Sequence, residues 1–189
     1  MGIRRVRYPE GKTHLDRSKD LSHPYMTSDM SKCIMCYRCV RACDEVQGQL
    51  VLSVANRGFD SKIIKGMDTT FFDSDCVSCG ACAQACPTSA ISDIYQSKSV
   101  VAQEKVRTVC TYCGVGCNLE VKVSGDKVLG IQAPYNAEVN AGHTCLKGRY
   151  AFAFYKHPDR LRHPMIRKNG QLEPVSWDEV YNYLADRLT

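Results

Sequence analysis

Twelve of the 189 residues are cysteine, and their spacing is the feature of the chain most able to do chemistry. Cys33, Cys36, Cys39 and Cys43 form a C-x2-C-x2-C-x3-C run. Cys76, Cys79, Cys82 and Cys86 repeat it, each 43 positions after its counterpart. Cys110, Cys113 and Cys117 form a C-x2-C-x3-C run, and 27 residues separate Cys117 from Cys145. Three closely spaced thiolates can wrap one face of an iron–sulfur cubane while a fourth arrives from elsewhere. Structural zinc sites instead draw on two C-x2-C pairs held on separate knuckles. Neither of the first two runs has that form. The third set, taken alone, also fits zinc, and it is the company of the first two that favours a third [4Fe-4S] cluster. Gly114 and Gly116 lie inside the third run, where a backbone folding around a cluster needs permissive dihedrals.

The elements that must position these thiols are short. Gln49–Val54 has the composition of a strand, and Leu119, Val121 and Val123 alternate with polar residues. Ser124-Gly125-Asp126-Lys127 reads as a turn, after which Val128, Leu129 and Ile131 resume the strand pattern. A hairpin of that size would bring Cys145 back to Cys110, Cys113 and Cys117. Tyr150–Tyr155 reads as packed helix or turn. Near the end, Ser176 is placed as an N-cap, Glu179 completes an S-x-x-E box, and Val175 and Val180 are spaced as a hydrophobic staple. Val180, Leu184 and Leu188 then share one face that needs a covering element, which suggests a polypeptide cut short or completed by a second chain.

Composition sets the setting. The sequence is 44% hydrophobic and 24% charged, which excludes a disordered, collagenous or coiled-coil chain. No run of 18 apolar residues occurs, so no bilayer span is expected. Arg4 and Arg5 have no apolar stretch behind them, so they read as exposed arginines and not as an export signal. The expected location is cytoplasmic, where six disulfides are improbable and twelve thiols point to metal. The formal charge of +5 counts every cysteine as neutral. Three clusters at about −2 each, four thiolates on a core of about +2, would bring the sum to about −1. The basic excess is therefore no argument for nucleic acid.

Pro87 completes the bacterial ferredoxin pattern C-x2-C-x2-C-x3-C-P after the second run, while Asp44 takes that place after the first. In two-cluster ferredoxins the fourth cysteine of each run ligates the other cluster. That pattern groups Cys33, Cys36, Cys39 and Cys86 on one cluster, and Cys76, Cys79, Cys82 and Cys43 on the other.

Longer strings carry a family resemblance. CIMCYRCVRACDEVQG (Cys33 to Gly48), NRGF (Asn56 to Phe59), CVSCGACAQACP (Cys76 to Pro87), TVCTYCGVGC (Thr108 to Cys117), VLGIQAP (Val128 to Pro134), CLKGRYAF (Cys145 to Phe152) and HPDRL (His157 to Leu161) resemble the soluble molybdenum- or tungsten-dependent formate dehydrogenases. VSWDEV (Val175 to Val180) is similar to the start of the next domain in that family. The large subunit of respiratory complex I and assimilatory nitrate reductases share parts of the pattern.

The resemblance implies an α+β chain. A basic extension (1–30) precedes a two-cluster ferredoxin-like domain (31–97) and a linker (98–107). A small β-rich [4Fe-4S] domain of the molybdopterin oxidoreductase type (108–160) and the incomplete start of a pterin-binding domain (161–189) follow. It implies an electron wire between a bis(molybdopterin guanine dinucleotide) centre, which would oxidise formate or reduce CO2, and an external redox partner. Lys147, two residues past Cys145, occupies the place of the lysine that bridges cluster and pterin in the family. Arg149 is placed either to contact a pterin phosphate or as a surface arginine. The implied partners are a pterin-binding catalytic portion and iron–sulfur, flavin or hydrogenase subunits. The family's catalytic cysteine or selenocysteine has no counterpart in these residues, so this chain by itself is not expected to oxidise formate. No cysteine precedes Cys33, and neither His14 nor His23 has a cysteine set near it in sequence. The alternative reading is a dedicated iron–sulfur subunit of a hydrogenase or complex-I-like oxidoreductase.

Overall fold

The structure, a computed structural model, describes residues 17–95 and 100–188. It forms two compact units, with Phe152 closing the first and Ala153 opening the second. The first unit begins with β1 (Lys19–Asp20) and β2 (Met26–Asp29), then α1 (Arg38–Arg41), β3 (Leu52–Ala55) and β4 (Lys62–Lys65). It continues through α2 (Ala81–Ala85) and β5 (Ile91–Asp93). β1, β2 and β5 make an antiparallel sheet in which Met26 faces Asp93 and Ser28 faces Ile91. β3 and β4 pair as a hairpin, Leu52 opposite Lys65 and Ala55 opposite Lys62.

The expected extension over residues 1–30 is therefore corrected in its second half. Residues 1–16 lie outside the described residues, but β1 and β2 belong to the body of the unit, and Met26 is fully buried at its centre. The sequence hides this because the stretch around Met26 is polar and too short to show a period. Asp20 fixes β1 in place: one carboxylate oxygen accepts from Lys65 Nζ at 2.8 Å and from the Phe71 amide at 2.8 Å. Burial opposes its charge, yet the bonds from Lys65, Ser22 and Phe71 outweigh burial and hold the carboxyl well below the usual carboxylate range.

The 43-residue repeat of cysteines extends to the backbone. Met35 and Tyr37 adopt positive φ angles of 53° and 60°, and their counterparts Ser78 and Gly80 adopt 57° and 71°. Each pair turns the chain around its cysteines and starts a short helix, α1 after Tyr37 and α2 after Gly80. The exits differ. Pro87 disfavours helix at the residue before it, so Cys86 is extended, with ψ 114°, and α2 stops at Ala85. Asp44 imposes no such stop, and the first run continues as a π-helical turn over Ala42–Val46 that contains Cys43.

β6 (Glu104–Val109), β7 (Asn118–Ser124) and β8 (Lys127–Gln132) form an antiparallel sheet, followed by α3 (Leu146–Tyr150). β7, the turn and β8 fall where the alternation places them, with Leu119, Leu129 and Ile131 buried. β6 takes up the last four residues, 104–107, of the stretch expected as a linker. All six of its residues are exposed, so no apolar alternation marks it. In the second unit, β9 (Met165–Lys168) and β10 (Gln171–Pro174) pair as a hairpin ahead of α4 (Trp177–Leu188). Ser176 Oγ accepts the Glu179 amide at 3.2 Å as the cap requires. The Glu179 carboxylate does not close the box but pairs with Lys168 Nζ at 2.7 Å. No described helix is long and apolar enough to cross a membrane.

Candidate metal centres

The two cysteine runs exchange their fourth members around two cavities. One cavity, about 330 Å³ including the space at its mouth, is lined by Cys43, Cys76, Cys79 and Cys82, with Met26, Leu52 and Phe71 behind them. The other, about 320 Å³ on the same measure, is lined by Cys33, Cys36, Cys39 and Cys86, with Met30, Ile63 and Ile91. Cys39, Cys43 and Cys82 belong to the same buried cluster as Met26, Phe71 and Ile91. The core of this region is thus assembled around thiols. Among the described residues no three Cys, His, Asp or Glu side chains converge on the position of a single ion; the quartets ring a space instead.

Charge explains why such a site needs a cationic core. Burial, and then the nearby Cys33, Cys86 and Cys36, push the Cys39 thiol up to about 12. Burial likewise raises Cys76, Cys79 and Cys82, and the other thiols of their own cavity add to the shift. Four thiolates cannot be held at such a distance from water without compensating positive charge, and metal binding must displace their protons. All twelve cysteines are free. An iron–sulfur core fits this donor set of four soft sulfurs per cavity in number and chemistry.

The third set comes together at the end of the second sheet. The loop from Cys110 to Cys117 joins β6 to β7 and is closed by the Cys110 amide donating to the Cys117 carbonyl at 2.8 Å. Cys145 stands at the N-cap of α3. The Cys117 thiol is raised by burial and then by Cys110, Cys113 and Cys145, so all four lie within electrostatic reach of one another. Gly148 makes this approach possible: a Cβ there would lie 2.6 Å from Thr144 Oγ1 and 3.5 Å from Cys110 Sγ.

Lys147 is exposed on α3, two residues beyond Cys145. Arg149 requires a correction. It is only 2% exposed and so is not a surface arginine. Nor does its guanidinium present an open face to a phosphate. Nε donates to the Cys79 carbonyl at 2.6 Å, and Nη1 donates to Gln84 Oε1 at 2.9 Å and to the Ile131 carbonyl at 3.4 Å. The Gln84 amide in turn bonds the backbone of Ala133 in both directions, at 2.7 and 3.0 Å. This network ties α2 and its cysteine loop to β8 and α3.

Sequence reasoning missed His23. Its Nδ1 accepts from the amides of Tyr25 at 3.0 Å and Met26 at 3.1 Å, so the ring proton of the neutral imidazole sits on Nε2. Nε2 faces Ser78 Oγ at 3.1 Å and Cys76 Sγ at 3.8 Å. Burial lowers the His23 pKa, against the opposing charge of Asp20, and favours this neutral form. With His23 and Cys76 53 positions apart, no local pattern could have paired them. Tyr25 was also missed; its ring stacks on Tyr150 at 4.9 Å and buries the end of α3.

Comparison with known proteins follows the same divisions. Residues 23–92 match the ferredoxin-like domain of NADH-quinone oxidoreductase subunit 3. Residues 103–157 match the molybdopterin oxidoreductase Fe4S4 domain, and 160–189 match the molybdopterin oxidoreductase domain. The chain is 33% identical, over 99% of its length, to 22% of an NADH-quinone oxidoreductase subunit from Rhizobium meliloti (strain 1021). It is 29% identical, over 88% of its length, to 21% of a Staphylococcus aureus (strain USA300) protein provisionally named formate dehydrogenase. It therefore spans about a fifth of the length of these curated relatives. Among solved structures, an NAD+-reducing [NiFe]-hydrogenase in the H2-reduced state overlaps 50% of this chain and 38% of its own, at 26% identity and a TM-score of 0.40. In order along the chain, then, it is similar to a ferredoxin-like domain, a molybdopterin oxidoreductase Fe4S4 domain and a stretch of a molybdopterin oxidoreductase domain.

Proposed function

We propose that this chain carries electrons through three [4Fe-4S] clusters between a molybdenum- or tungsten-pterin centre, where formate is oxidised or CO2 reduced, and an external redox partner. The observation that carries the proposal is the exchange of Cys43 and Cys86 between the two cavities, which gives each a full set of four thiols. Bound in these sites, a cubane supplies reversible one-electron chemistry. The residues supply the rest. Cys33, Cys36, Cys39 and Cys86 hold one cluster, Cys43, Cys76, Cys79 and Cys82 the second, and Cys110, Cys113, Cys117 and Cys145 the third. Met26, Phe71 and Ile91 keep water from the first two sites, and His23 orients Cys76 through Nε2. Lys147 lies between the third site and the pterin, which a pterin-binding portion would hold. The reducing cytoplasm suits twelve free thiols.

A second reading is favoured by the match, over nearly the whole chain, to the NADH-quinone oxidoreductase subunit from Rhizobium meliloti. In this reading the same three sites serve a complex-I-like or hydrogenase assembly without formate chemistry. The test is anaerobic purification of the protein together with whatever pterin-binding portion accompanies it. About twelve irons and twelve sulfides, molybdenum or tungsten with pterin, and cluster reduction by formate support the first reading. Full iron without pterin or formate response moves the assignment to the second, and stoichiometric zinc with little iron overturns both.

A further inference from the structure

Arg149 is a buried cation whose three hydrogen bonds all go to neutral oxygens: the Cys79 carbonyl, Gln84 Oε1 and the Ile131 carbonyl. Its Nη2 is buried with no partner. Guanidinium does not lose its proton in proteins, so burial cannot be relieved by neutralisation. A buried charge is retained only where an opposite charge compensates it. Asp93 and Lys122 share a small cavity with Arg149 and bring one charge of each sign. Among the described residues, the thiol set of the second cavity, which Arg149 adjoins through the Cys79 carbonyl, is a further source of negative charge once it holds a metal. The guanidinium touches this set directly, Nε donating to the Cys79 carbonyl at 2.6 Å.

The cysteine loop is shaped to admit this side chain. Gly80 lies between Cys79 and α2, and a Cβ there would stand 2.3 Å from Arg149 Cδ and 2.7 Å from Nε. The guanidinium thus occupies the space that any other residue at position 80 would fill. It reaches there from α3, whose N-cap is Cys145 of the third set.

We propose that Arg149 is the resident counter-charge of the cluster held by Cys43, Cys76, Cys79 and Cys82, and that it raises that cluster's reduction potential. The proposal rests on the iron–sulfur reading above. Adding one electron makes the site more negative by one unit, with no bond made or broken, and a fixed cation beside Cys79 favours the reduced state. Net charge and hydrogen bonding around a cluster are among the factors that set its potential. Arg149 acts through the Cys79 loop and is a positioning residue. Its effect is to make the cluster adjoining the third site a better acceptor for electrons arriving from there.

The test uses the complete holoprotein, titrated anaerobically and followed by EPR, with the cluster assigned through Cys79→Ser. Arg149→Met should lower the reduced-to-oxidised ratio of that cluster at a given potential about tenfold, equivalent to about 59 mV for a one-electron couple. The other two clusters should move by less than half as much, and Arg149→Lys should keep most of the wild-type value. If Arg149→Met fails to take up the cluster while Arg149→Lys is loaded, the requirement for charge is upheld. A change of less than twofold in a fully loaded Arg149→Met protein overturns the proposal. So do equal shifts in all three clusters, or loss of the cluster in both variants. Wild-type protein without iron would instead dispose of the cluster reading itself, and is seen before any variant is compared.

Discussion

Replacing Gly80 by alanine tests the junction between the second and third cysteine sets. Gly80 has φ 71° and ψ 10°, a left-handed conformation that costs an L-residue roughly 1–2 kcal/mol. The new methyl would also lie 2.3 Å from both Arg149 Cδ and Tyr150 Oη. Forcing a methyl into packed space typically costs a further 1–3 kcal/mol or so. The expected loss is about 2–5 kcal/mol. Gly48 is the control: its φ is 65°, and nothing lies within 4 Å of the Cβ position. Gly48→Ala should lose only the conformational part, about 1–2 kcal/mol. For a chain of this size each kcal/mol lowers the unfolding midpoint by roughly 2–4 °C. Anaerobic thermal scans by far-UV circular dichroism, at one heating rate and with iron content matched, should therefore place Gly80→Ala roughly 2–12 °C below Gly48→Ala. Equal midpoints would mean that Arg149 and Tyr150 do not press on the cysteine loop, and the bridging role given to α3 would fall with them.

The exchange of fourth ligands predicts that Cys43→Ser damages the cluster sharing its cavity with Cys76, Cys79 and Cys82. EPR showing instead that the Cys33 cluster alone is altered would reverse the assignment. Asp20→Asn should destabilise the first unit by about 2–4 kcal/mol at neutral pH by leaving Lys65 without its partner. Because the folded carboxyl lies below its unfolded value near 4, that contribution is fully present above about pH 4 and lost as pH falls through the folded value. A gap between wild type and Asp20→Asn in denaturant titrations that stays constant down to pH 2 would refute it. On the formate reading proposed above, Lys147→Met in the complete protein should leave cluster content and thermal stability near wild type while slowing formate-driven reduction of the outer clusters. Unchanged stopped-flow kinetics would return Lys147 to the role of a surface lysine.

What the sequence made legible was what depends on short spacings. The cysteine runs, β7, β8 and the Ser176 cap are all set by residues within a few positions of one another. The ferredoxin pattern leads to the proposed exchange of Cys43 and Cys86; Cys43 lines one cavity with Cys76, Cys79 and Cys82, and Cys86 lines the other with Cys33, Cys36 and Cys39. What escaped depends on contacts across long stretches of chain. β1 and β2 are polar on their open side and gain their order from Asp20 meeting Lys65 and Phe71, partners about fifty positions away. β6 is an exposed edge strand with no apolar alternation to betray it. His23 was set aside for lack of a neighbouring cysteine and stands beside one. Arg149 looked like a phosphate contact or a surface residue because Gly80, whose missing side chain leaves the space it fills, is 69 positions earlier.

α3 reconciles these two kinds of information. Its residues follow Cys145 directly, and the Arg149 amide closes the first helical turn by donating to the Cys145 carbonyl at 3.2 Å. Residues two apart on an α-helix point about 200° from each other, since 3.6 residues complete a turn. Lys147 and Arg149 must therefore face opposite ways, and they do: Lys147 is exposed while Arg149 is buried against Cys79. One short helix thus turns one cation outward at Lys147 and another inward onto the Cys79 loop. Cys79, which Arg149 meets, lines the second cavity, and Cys39 of the first is close enough to Cys82 to affect its ionisation. Cys43 lines the cavity of Cys76, Cys79 and Cys82, and Cys86 lines that of Cys33, Cys36 and Cys39, so each cavity draws its four thiols from both runs.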